Sequence, residues 1–205
     1  MLISCQVLLS SPVKASANLH FASTPLQLTD VAQGRKNPLW MGLPLRLRRT
    51  RNRAGLSLRQ VALISSCSQP TLSLIEGGRR TSIDVVERIA AGLGIPVYWL
   101  AYGPEAHLPF RQKHGLPDRA YDDPETSPSL REFRERYRGC GARVRQRRED
   151  LGLTLKVVAE HALISDQAVL NTELGATVPK LDTLEAIAVA LDVAPGWLAY
   201  GDEEE

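Results

Sequence analysis

With 205 residues, the chain has room for one large domain or two small ones. Its composition, 43% hydrophobic and 23% charged, is that of a globular chain, and no apolar run approaches membrane-spanning length. Three cysteines (Cys5, Cys67, Cys140) without a C-x-x-C pair exclude a disulfide scaffold and point to a reducing cytoplasm. Four scattered histidines carry no zinc or haem signature, so no cofactor is implied. The net charge of +2 hides an asymmetry. Residues 43–103 hold nine basic and three acidic side chains, residues 139–205 six basic and twelve acidic. The first stretch suits a polyanion and the last does not.

Residues 1–42 show no sustained period and are predicted as a disordered N-terminal segment. Met1-Leu2-Ile3-Ser4-Cys5 lacks the basic start of a signal peptide. Met41 directly precedes the first patterned segment, and would serve as a start if the first were assigned too early.

Residues 43–103 read as five short helices. The first runs from Leu45 to Arg53 and ends at Gly55. Ser57 opens the second, with Gln60 completing a capping box. Ser68 caps a third over Gln69 to Ile75, where Pro70 is tolerated in the first turn. The fourth carries Ile83, Val86, Ile89, Ala90 and Leu93 on one stripe. The fifth follows Pro96 and buries Trp99 and Leu100. No period-two alternation appears, so the predicted fold is all-α.

Residues 104–138 form a linker, with five prolines between 104 and 128 that forbid a long helix. A helical pattern returns over 130–138, with Leu130, Phe133 and Tyr137 on one face. Gly139 and Gly141 are expected to interrupt it. Then the first unit recurs over 139–201, before the acidic tail 202–205. Gly55-Leu56-Ser57-Leu58 returns as Gly152-Leu153-Thr154-Leu155, and Trp99-Leu100-Ala101-Tyr102-Gly103 as Trp197-Leu198-Ala199-Tyr200-Gly201.

Arg51, the run Gly55 to Ala62, the run Ser68 to Glu76 with Gly78, and the fourth-helix stripe together resemble the Cro/phage-repressor (lambda-repressor-like, XRE) family of helix-turn-helix DNA-binding domains. The resemblance covers 43–103 and, more weakly, 140–201. It implies that the third helix enters the major groove of double-stranded DNA. Gln69 could then pair with adenine, Pro70 and Thr71 could touch a thymine methyl, and Ser73 would lie one turn further on. Arg79 and Arg80 would hold phosphates, as would the amides at the helix starts capped by Ser57 and Ser68. The resemblance also implies structural ion pairs Arg51–Glu76 and Arg148–Glu173. Trp99 and Tyr102 are expected to pack in the core, and Cys67 to be buried and unreactive.

The second unit departs from this pattern. Asp166 replaces Gln69, and Ala176 and Thr177 replace the two arginines. Leu170 stands at a groove-facing position, and Thr172 replaces the buried Ile75. Leu163 falls where the chain is commonly left-handed, which costs a bulky residue about 1–2 kcal/mol, so a reshaped turn is expected. Arg143, Arg145, Arg147 and Arg148 would keep one end basic. The chain is therefore expected to be a DNA-binding regulator, as a homodimer or an intrachain pseudo-dimer. The alternative is an antitoxin-like or adaptor module whose second unit binds a protein through Leu163 and Leu170. No nucleophile–base pair or phosphate loop suggests an enzyme, and no membrane partner is implied.

Overall fold

A computed structural model describes residues 38–104 and 135–201. Residues 1–37 of the tail expected over 1–42, most of the linker with Leu130 and Phe133, and the acidic residues 202–205 lie outside the described residues. The first unit comprises α1 (Leu43–Arg53), α2 (Leu58–Ile64), α3 (Gln69–Glu76), α4 (Ile83–Leu93) and α5 (Val97–Tyr102). The second repeats them as α6 (Cys140–Asp150), α7 (Leu155–Ala162), α8 (Asp166–Glu173), α9 (Leu181–Ala190) and α10 (Pro195–Tyr200). The fold is all-α. No helix among the described residues is long and apolar enough to cross a membrane.

Local chemistry sets the helix boundaries. Ser57 Oγ accepts from Gln60 N at 3.2 Å while Gln60 Oε1 accepts from Ser57 N at 2.8 Å, completing the capping box that starts α2. Ser68 Oγ accepts from Thr71 N at 3.1 Å and starts α3, with Pro70 in the first turn where no N–H is missed. Thr154 and Ser165 cap α7 and α8 in the same way. A 3-10 helix leads into each unit, Leu39–Gly42 and Arg136–Gly139. The 3-10 helix Leu39–Gly42 lies wholly inside the segment expected to be disordered, which corrects that expectation for its last residues. Gly141 does not break a helix. It sits buried in α6, where a Cβ would collide with the backbone oxygens of Thr172 and Glu173, so only glycine permits this approach of α6 to α8.

Leu47, Leu72, Ile83, Val86, Ile89 and Leu100 are fully buried in the first unit, as are Val144, Val158, Val169, Leu184, Ile187 and Leu198 in the second. The two sets belong to one continuous core. Every residue of α5 is buried. A helix apolar on all sides has to be covered on all sides, and a lone five-helix unit leaves one face of its last helix bare. Here α10 covers α5.

The joint between the units has an approximate two-fold axis. Ile83 N donates to Pro179 O at 3.1 Å and Leu181 N to Thr81 O at 3.0 Å, framing a bridge between Ser82 and Lys180. Tyr102 Oη donates to Leu181 O at 3.3 Å, and Tyr200 Oη to Ile83 O at 3.1 Å. Glu185 accepts from Leu39 N at 2.8 Å and Trp40 N at 3.0 Å. Glu87 does the same for Arg136 N at 2.9 Å and Tyr137 N at 3.2 Å. Each unit's leading 3-10 helix is thus clasped by a glutamate of the other unit. Burial pushes both tyrosine hydroxyls well above their usual pKa, so they remain donors.

Candidate nucleic-acid interface

The third helix of the first unit is held from one side only. It packs on α1 and α2 through buried Leu72 and Ile75, and leaves Gln69, Pro70 and Ser73 exposed. Thr71 is half-buried, and its hydroxyl shares a 2.7 Å hydrogen bond with Ser68 Oγ. Gln69 hydrogen-bonds nothing among the described residues, so its amide is available to a ligand. The hydroxyls of Ser57 and Ser68 are engaged as caps. What they offer a ligand is a fixed helix start.

Arg51 ties this helix to α1. Its Nε and Nη2 meet Glu76 Oε1 and Oε2 at 2.7 and 3.0 Å, and its Nη1 donates to Leu56 O at 3.1 Å. Such a bidentate pair fixes orientation as well as distance. The bond to Glu76 raises the Arg51 pKa further above its usual value. Arg48 adds a longer 3.4 Å contact from the exposed side. In the second unit Arg148 and Glu173 repeat the pair at 2.7 and 2.9 Å, with Nη1 on Leu153 O.

Arg79 and Arg80 follow the third helix, and both are exposed. Together with Thr71, Leu74, Ile75 and Thr81 they line an open recess of about 250 Å³. Their situations differ. Arg79 makes no ion pair among the described residues. Arg80 Nη1 lies 2.9 Å from Asp182 Oδ2 of the second unit, and its guanidinium sits 5.8 Å from the centroid of the Trp40 ring. Arg59, exposed on α2 and likewise unpaired among the described residues, is a basic residue that the sequence pattern did not single out.

The corresponding face of the second unit is different in kind. Asp166 opens α8, and its carboxylate accepts from Gln167 N at 3.1 Å. Gln167 Nε2 donates to Asn171 Oδ1 at 2.8 Å. Leu170 is half-buried, while Leu163 is 69% exposed. The turn before α8 is not reshaped. Leu163 takes φ 55° and ψ 40°, matching Ser66 at φ 50° in the first unit, so the left-handed position is kept despite the side chain. Thr172 is buried, and its hydroxyl is satisfied by Ala168 O at 2.9 Å.

The expected basic end of this unit is not available as such. Arg143 donates to Leu198 O at 3.1 Å, Ala199 O at 2.7 Å and Arg136 O at 3.1 Å. It satisfies the last carbonyls of α10, as Arg46 does for Leu100 O and Ala101 O in α5. Burial pushes the Arg46 pKa down to about 10, which still leaves it charged at neutral pH. Arg147 donates to Leu191 O, Arg145 pairs with Glu149, and Arg148 pairs with Glu173. Arginines spaced along a sequence say nothing of what their guanidinium groups will cap.

Two short helices crossing at a capped turn, with the second exposed along its outer face, constitute a helix-turn-helix. A family model described as a helix-turn-helix domain matches residues 43–97 and again residues 140–198. These spans make up more than half of the chain, and the chain belongs to that family, with two tandem copies of the domain. Neither the curated proteins nor the solved structures gave a match.

Proposed function

We propose that the protein is a sequence-specific DNA-binding transcriptional regulator of the Cro/repressor type, in which α3 reads the major groove. The observation that carries this is the third helix itself. It is clamped by Arg51–Glu76, presents Gln69, Pro70 and Ser73 outward beside a half-buried Thr71, and is flanked by Arg79 and Arg59, which make no ion pair among the described residues. Gln69 is the base reader and the arginines hold phosphates.

The test is selection of bound sites from random duplex DNA with the full chain, followed by variants on the selected site. Gln69→Ala is expected to cost about 1–3 kcal/mol on that site and little on scrambled DNA. Arg79→Ala is expected to weaken both alike and to lower the slope of log affinity against log salt by about 0.9. Equal loss from Gln69→Ala on both sequences would remove it from the reading role.

A second reading makes the chain an antitoxin-like or adaptor module that binds a protein through Leu163 and Leu170 of the second unit; Leu163 is exposed, Leu170 is half-buried, and exposed Leu174 adds apolar contact area. Retention of the full chain on heparin, reversed by salt and reduced by Arg79→Ala, would favour DNA over this alternative.

A further inference from the structure

We propose that the second unit is a resident partner rather than a second reader, so that one chain binds one duplex at a non-palindromic site whose sequence information lies in one half. This rests on the DNA-binding reading above. Two sets of observations carry it.

The joint is two-fold in its backbone and unequal in its side chains. Tyr98 of α5 corresponds to Gly196 of α10 in the repeat. Its ring packs edge-on against Tyr200 at 5.7 Å and 88°, its hydroxyl donates to Gly201 O at 3.0 Å, and it accepts from Arg136 Nη1 at 2.8 Å. Arg136 in turn corresponds to Leu39 of the first unit. The Arg80–Asp182 pair is equally one-sided, because Val178 holds the place of Arg80 when the units are aligned through Ile83 and Leu181. Two first units facing each other would place two Tyr98 rings where the joint holds one, without the arginine that bonds its hydroxyl. Two second units would place glycine at both positions. The complementary pairing is first unit with second, and residues within one chain meet at far higher effective concentration than two chains do. Homodimerisation through this surface is therefore both pre-empted and mismatched.

The face that the second unit would turn to DNA lacks what the first provides. From Ser57 to Thr81 the side chains include Arg59, Arg79 and Arg80, with Glu76 matched by Arg51. From Thr154 to Lys180 there is no arginine, Lys156 pairs with Glu160, the exposed Lys180 sits at the joint beside Ser82, well past the end of α8, and Asp166 stands where Gln69 would be. With Lys180 in place of the first unit's three arginines, the helix has fewer phosphate anchors to hold it in register on a duplex, and an aspartate at its tip adds repulsion. The second unit does reach the reading edge of the first. Asp182 holds Arg80, and Glu185 holds the 3-10 helix whose Trp40 lies beside Arg80.

The experiment uses the full chain. Sedimentation equilibrium at micromolar concentration is expected to give a monomer of 22.6 kDa. Titration of the selected duplex is expected to saturate at one chain per duplex, with a selected motif that contains no inverted repeat. The ratio of affinities for selected and scrambled DNA is expected to change less than about twofold in Asp166→Ala/Gln167→Ala, both exposed positions, and to fall about fivefold or more in Gln69→Ala. A palindromic motif, two chains per duplex, or equal loss of the ratio in both variants would overturn the proposal. A folded monomer that selects no duplex would overturn the DNA-binding reading beneath it, and this inference with it.

Discussion

Arg51 and Glu76 show how one residue pair sets the hold on the third helix of a unit. The Glu76 side chain is 6% exposed and the Arg51 side chain 16%, so either alone would be a stranded charge. Breaking a fully buried pair costs about 3–5 kcal/mol and an exposed one under about 1 kcal/mol. We expect about 2–4 kcal/mol for Glu76→Ala, between these limits. Thermal unfolding of the full chain with Arg51→Ala, Glu76→Ala and both makes a double-mutant cycle. A coupling of about 1 kcal/mol or more is expected, and strict additivity would mean that the two side chains are not acting on each other. Arg80 is the opposite case. Its exposure alone suggests a phosphate ligand, yet Asp182 already holds one of its nitrogens, which leaves Arg79 as the freer cation.

At the scale of the element, the turn between α7 and α8 stores strain. Leu163 ends α7 in the left-handed region, where its N–H still reaches Glu160 O at 3.3 Å. The side chain is 69% exposed, so little burial offsets the cost of the conformation. Leu163→Gly is expected to raise stability by about 0.5–1 kcal/mol, the steric relief exceeding the entropy that glycine loses on folding. Leu163→Ala keeps a Cβ in the same region and should bring no such gain. Denaturant titration of the three proteins checks this, and a gain with alanine as large as with glycine would place the effect elsewhere. The same turn tolerates Ser66 in the first unit, whose position shows that the backbone path precedes the choice of side chain.

For the whole molecule, the buried Glu87 of the joint makes pairing sensitive to pH. Burial raises the Glu87 pKa above its usual 4.5, against the lowering effect of the Arg136 and Tyr137 N–H groups. The folded chain therefore binds this proton more tightly than the unfolded one. The contribution of the group is fully present below 4.5 and is lost as pH rises through the folded pKa. Melting temperatures of the wild type and Glu87→Gln between pH 4 and 7 test this. The wild type's advantage over the variant is expected to shrink as pH rises, and an advantage that grows would mean that the two N–H bonds outweigh burial. Because one core runs through both units, a single unfolding transition is expected in these scans.

Much of this was legible in the sequence for local reasons. Caps, helix stripes and the duplicated motif depend on neighbours a few residues apart, so Ser57–Gln60, Ser68 and the stripe from Ile83 to Leu93 announced their helices directly. Arg51–Glu76 and Arg148–Glu173 followed from the family pattern and stand at matching distances. The joint was not legible in that way, although its residues recur in both copies: Glu87 and Glu185, Tyr102 and Tyr200. Their meaning depends on which backbone groups lie opposite, and those groups are 49 to 146 residues distant. For the same reason the four arginines of α6 looked like a basic surface, and only packing shows Arg143 and Arg147 turned to carbonyls at helix ends. Sequence by itself determined the two units and their short helices, because short-range hydrogen bonding and side-chain periodicity decide them. Tertiary structure alone decided that the two units close on each other, because a two-fold joint built from distant polar contacts leaves no periodic trace along the chain.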